Sequence, residues 1–106
     1  MPYDYPWEKL YDAVRCLAGS GTLQNRVNNA LLCFHTLKVH GIGLPASIKS
    51  RLDQLWAAFE TATPVGDEGQ WRASINAMTE DELSDRAMDI VSIYDAICRH
   101  QEPHDE

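Results

Sequence analysis

An all-α fold, four to five helices packed as one domain around a central apolar helix at about residues 22–40, is what this 106-residue sequence predicts. Three observations lead there. The stretch LQNRVNNALLCFHTLKVH, Leu23 to His40, places Leu23, Val27, Ala30, Leu31, Phe34 and Leu37 on one helical face. Leu32 and Val39 point the other way, with Cys33 between. An ordinary surface helix has a single apolar stripe, so one that is apolar on more than one side predicts cover by other helices from at least two directions. Apolar residues recur at threes and fours in the flanking segments, and no β-type alternation of useful length interrupts them.

The elements follow in order. Asp4 can cap a first helix with Pro6 in its opening turn, and Trp7, Leu10, Tyr11, Val14, Leu17 and Ala18 form its stripe. Gly19 is placed to end it in the left-handed conformation, and Cys16 falls on its polar face. Gly19 to Thr22 is short enough to make the next helix an antiparallel neighbour, capped by Thr22 or Ser20. His40 and Gly41 close that central helix, and Gly41-Ile42-Gly43-Leu44 bends into Pro45. The glycine spacing is that of a turn, without the Lys-Ser/Thr of a phosphate loop. Pro45 opens a third helix with Ile48, Leu52, Leu55, Trp56 and Phe59 inside, ending near Thr61. TATPVGDEG, residues 61–69, reads as a mobile loop, and Trp71, Ile75 and Met78 as a short helix. Thr79-Glu80-Asp81-Glu82 is a capping box, the most specific local signal in the chain. It starts a last helix with Leu83, Ala87, Ile90, Val91, Tyr94, Ile97 and Cys98 on its apolar side. The domain is expected to span 1–99, with 100–106 a frayed acidic tail.

Composition narrows the function. No apolar run approaches the ~18 residues of a membrane span, and Met-Pro-Tyr-Asp-Tyr-Pro lacks the pattern of a signal peptide, so a cytoplasmic protein is expected. Cys16, Cys33 and Cys98, an odd number without C-x-x-C spacing, indicate neither a disulfide framework nor a zinc knuckle. Cys98, His100 and His104 match no closed metal site, and His35 and His40 do not share a face. Neither a metal nor another cofactor is expected. No spacing argues for a nucleophile with its base, and the carboxylates sit where burial cannot tune them, so no catalytic residue is assigned.

Charge is the informative quantity. Residues 1–60 carry six cations against five carboxylates, whereas 61–106 carry three arginines against eleven, so essentially all of the net charge of −7 belongs to the second segment. Such a field repels nucleic acid and attracts basic protein surfaces. On the last helix Asp81, Asp85, Asp89, Ser92 and Asp95 fall within about 120° of arc opposite the apolar side. Near its N-terminus Glu80, Asp81, Glu82 and Asp85 are expected to gain ~0.3–1 kcal/mol each from the helix dipole, but Asp89 and Asp95 gain nothing of that kind. Asp81, Glu82, Asp85, Asp89 and Asp95 are therefore the candidate partner-binding residues, against the plainer reading of a solvated face that keeps the chain soluble. Tyr3 and Tyr5, ahead of the first helix, either pack back or form a contact patch.

The run LQNRVNNALLCFHTLKVHGIGLPASIKSRLDQLW is similar in cadence to small proteins of proteobacteria and their phages. With its size and acidity, the chain resembles phage anti-CRISPR proteins directed at type I systems, type I-E in particular. The resemblance is of profile, and no residue role carries over from it. It implies a stoichiometric inhibitor that occludes the surveillance complex or the helicase-nuclease it recruits. The partner would then be a basic surface of a Cas protein, met in the cytoplasm of the bacterial host without direct nucleic-acid or membrane binding. An immunity protein or antitoxin neutralising a basic nuclease would use the same face. The chain is expected to be a monomer or weak homodimer, and a third reading is a homodimeric helical adaptor whose binding surface is Leu32 and Val39.

Overall fold

The computed structural model describes residues 4–39, 44–63 and 69–101, apart from the side chains of Thr36, Lys38, Val39 and Gln101. Tyr3, the bend at 40–43, the centre of the expected mobile loop and the acidic tail beyond Gln101 lie outside the described residues. Five helices form, α1 Asp4–Ala18, α2 Leu23–Val39, α3 Ala46–Ala58, α4 Gln70–Ala77 and α5 Glu80–Gln101, and the described residues contain no strand. The chain is an all-α bundle.

Helix α2 is the centre, in contact with each of the other four. Val27, Ala30, Leu31, Phe34 and Leu37 are buried, and each of them other than Ala30 contributes ~1.5–3 kcal/mol by leaving water. The second apolar face is not covered as expected, since Leu32 stays 56% exposed. Phe34 leaves the helical region (φ −114°, ψ 18°), which bends the last turn of α2. An aromatic seam ties this bend to α3 and α4. Phe34 tilts against Trp56 at 5.4 Å, Trp56 stacks on Trp71 at 5.4 Å, and Trp71 Nε1 donates to Asn28 Oδ1 on α2 at 3.1 Å.

One glycine expectation is corrected. Gly19 does not adopt the left-handed conformation; its N–H closes a tight turn on the Cys16 carbonyl at 3.2 Å, and the reversal falls on Gly21, with φ 106°. Arg26 then satisfies the end of α1, donating from Nη1 to the Leu17 carbonyl at 2.8 Å and from Nε to the Gly21 carbonyl at 3.1 Å. Thr22 caps α2 as expected, with its Oγ1 accepting the Asn25 N–H at 3.1 Å. Cys16 is not on a wet face but half-buried against Cys33, the sulfurs 3.4 Å apart.

Helix α3 ends at Ala58, earlier than the sequence suggested, because Phe59 is buried outside the helix and its N–H turns back to the Trp56 carbonyl. Ser74 holds the chain beyond it. Its Oγ, in a residue only 1% exposed, accepts from the Thr61 and Ala62 N–H groups at 3.3 and 3.2 Å and donates to the Gln70 carbonyl at 3.0 Å.

Candidate functional site

The capping box builds the start of α5 in both directions. Glu82 N–H donates to Thr79 Oγ1 at 3.1 Å, and Thr79 N–H donates to Glu82 Oε1 at 2.8 Å. Beyond it, α5 is wedged between α1 and α3. On one flank Tyr94 meets Trp7 and Tyr11 of α1, with ring centroids 6.4 and 6.2 Å apart. On the other, Ile93 is buried beside Leu55 of α3. The buried positions are Leu83, Ile90, Ile93 and Ile97, so the core stripe includes Ile93, which the sequence reading omitted, and leaves Ala87, Val91, Tyr94 and Cys98 half-buried.

That rotation splits the predicted acidic face. Asp89 moves to the α3 flank and pairs with Arg86 Nε at 2.9 Å, and Asp95 pairs with Arg99 Nε at 3.0 Å. Glu82 is turned back onto the cap. These three are not the uncompensated carboxylates the sequence suggested, because the pattern of acids alone did not register arginines three and four residues along. Asp81 and Asp85 are exposed, and among the described residues neither makes a side-chain hydrogen bond or ion pair. The two ion pairs on α5 are half-open to water, with Asp89 and Asp95 side chains 50% and 59% exposed, and pairs of that kind contribute ~0–1 kcal/mol. An incoming cation can displace them cheaply.

One residue on this surface was missed. Met88 is 62% exposed and lies within about 60° of arc of Asp81, Asp85 and Ser92, on the side opposite the core. The wheel that located the aspartates contains it, but a search for charge passes over a thioether. An open methionine among carboxylates is an adaptable apolar contact with an anionic rim.

Two of the concave regions bear on chemistry. Between α3 and α5 a cleft of roughly 280 Å³ is lined by Arg51, Gln54, Arg86 and Asp89. Between α2, α3 and α4 a recess of roughly 360 Å³ is lined by His35, Trp56, Phe59, Glu60 and Trp71, with His35 edge-on to Trp71 at 5.3 Å. Among the described residues neither lining contains a serine, threonine, cysteine or lysine to act as a nucleophile. Among the described residues no group of three or more His, Cys, Asp or Glu side chains could hold a metal ion, and no helix is long and apolar enough to cross a membrane. Comparison of the chain with protein-family models, curated proteins and solved structures gives no match.

Proposed function

We propose that the chain is a non-catalytic, stoichiometric protein inhibitor of the anti-CRISPR type, which docks the outer face of α5 on a basic surface of a type I Cas assembly in the host cytoplasm. The observation that carries this reading is Asp85. It is exposed, free of partners among the described residues, and the sixth residue of α5, past the first turn, so the dipole reward expected of it from the sequence has largely fallen off. Flanking acids at Asp81 and Asp89 make it locally unfavourable, since like charges four apart cost a few tenths of a kcal/mol. A carboxylate without a partner on its own chain supports a role for it toward a cation elsewhere, against the plainer reading of a solvated face. Met88 beside it supplies the apolar contact that carboxylates lack, while the charges speed and orient encounter.

The test is retention of the chain by purified type I surveillance complex and by its helicase-nuclease, with target cleavage as the readout. Asp85→Lys is expected to keep the helical circular dichroism of the parent and to lose at least about tenfold in affinity, as expected when a charge is reversed at a complementary interface. Undiminished inhibition by that folded variant would sink the proposal. The exposure of Leu32 supports the adaptor reading as the alternative. Raising salt separates the two, because binding through α5 weakens steeply with ionic strength and binding through Leu32 does not.

A further inference from the structure

Cys16 on α1 and Cys33 on α2 are seventeen positions apart in sequence and 3.4 Å apart at sulfur. The helices that carry them are pinned on both sides of the pair, with Ala13 and Leu17 buried on α1 and Ala30 and Phe34 on α2. Packing therefore sets the distance, and a disulfide at about 2.05 Å needs the sulfurs to close by about 1.4 Å. Both thiols are half-buried and so reachable from solvent. We propose that this pair is an oxidative modification site, converted by a low-molecular-weight disulfide such as glutathione disulfide into an intramolecular Cys16–Cys33 disulfide that staples α1 to α2.

The exchange balances without any other reagent. Cys16 releases its thiol proton and attacks one sulfur of glutathione disulfide; the glutathione S–S bond breaks, and the first glutathione leaves as a thiolate that takes up a proton. Cys33 then releases its proton and attacks Cys16 Sγ in the mixed disulfide, and the second glutathione leaves in the same way. Two protein thiols are oxidised and one glutathione disulfide is reduced to two glutathione thiols. The order follows from the environment of Cys33. Desolvation, and then the hydrogen bond with Cys16, push its thiol up to about 11, so at neutral pH it stays protonated and serves as the resolving thiol. Cys98 lies on α5, hydrogen-bonded with Tyr94, and takes no part.

After incubation with glutathione disulfide the full-length chain is expected to fall by about 2 Da in intact mass, to take up one alkyl group where the reduced chain takes three, and to yield a peptide linking Cys16 to Cys33. Dithiothreitol should reverse all three changes. The melting temperature of the oxidised monomer should rise by on the order of 10 °C, as expected for closing a loop of this length. Cys98→Ser should show the same 2 Da loss, and Cys33→Ser should stop at a single glutathione adduct. Persistent glutathione adducts on the parent chain, a covalent dimer through Cys98, or three unchanged thiols under conditions that oxidise a model dithiol would each overturn the assignment.

Discussion

Ser74 shows how much a single buried hydroxyl can hold. It receives two backbone N–H groups from the segment after α3 and gives its own proton to the first turn of α4, so three backbone polar groups meet at one buried atom. Ser74→Ala removes that atom and leaves Thr61 and Ala62 without their acceptor. The variant is expected to be less stable by about 1–3 kcal/mol in urea unfolding, with an unchanged m-value. A loss below about half a kcal/mol would mean that water replaces the hydroxyl. Nothing in the sequence announces this role. A serine between Ala73 and Ile75 carries no periodic signature, and the N–H groups that donate to it lie twelve and thirteen residues away. Thr22 and Thr79 were legible for the opposite reason, because their partners are three residues along the same chain. Arg26 and the Cys16–Cys33 contact belong with Ser74: each needs two elements in place before the side chain has a task.

At the scale of the element, α5 was foreseen in its start and in the general placement of its acids, but not in its rotation. Helical period locates an apolar arc to within a residue or so, and the neighbours decide its width. With α1 on one flank and α3 on the other, the arc extends to Ile93, and Asp89 is drawn toward Arg86. The acids of α5 thus divide by physical role. Glu80, Asp81 and Glu82 lie in the first turn, where the dipole favours them; Asp89 and Asp95 answer arginines of their own helix; Asp85 answers nothing in the described chain. The capping box makes the start of α5 measurable independently of docking. Thr79→Ala should cost about 1 kcal/mol in global stability and leave inhibition intact once the protein is folded. Loss of inhibition by a fully folded Thr79→Ala chain would show that the geometry of the first turn, rather than Asp85, governs binding.

For the molecule as a whole, the response to alkali distinguishes buried chemistry from surface charge. Cys33 is raised from 9.0 to about 11, chiefly by desolvation, and Tyr94 from 10.0 to about 12, again chiefly by desolvation, with its hydrogen bond to Cys98 adding to the rise. In the unfolded chain both groups return toward ordinary values and release their protons first. Above about pH 9 the folded state therefore binds more protons than the unfolded one, and stability falls with rising pH. Their contribution is fully present below pH 9 and is lost progressively as pH climbs through 11 for Cys33 and 12 for Tyr94. The net charge of −7 also opposes the compact state, but that repulsion acts between exposed groups and is screened by salt, whereas desolvation inside the α1–α2–α5 packing is not. Thermal melts of the reduced chain from pH 7 to 11 should thus show a fall beginning near pH 9 that persists when sodium chloride is raised to about 0.5 M. In the oxidised chain, where Cys33 has no proton to lose, the onset should move up to near pH 10, the ordinary value of the remaining tyrosine. A fall abolished by salt would assign alkaline sensitivity to the carboxylate surface, and an onset unmoved by oxidation would remove Cys33 from its cause.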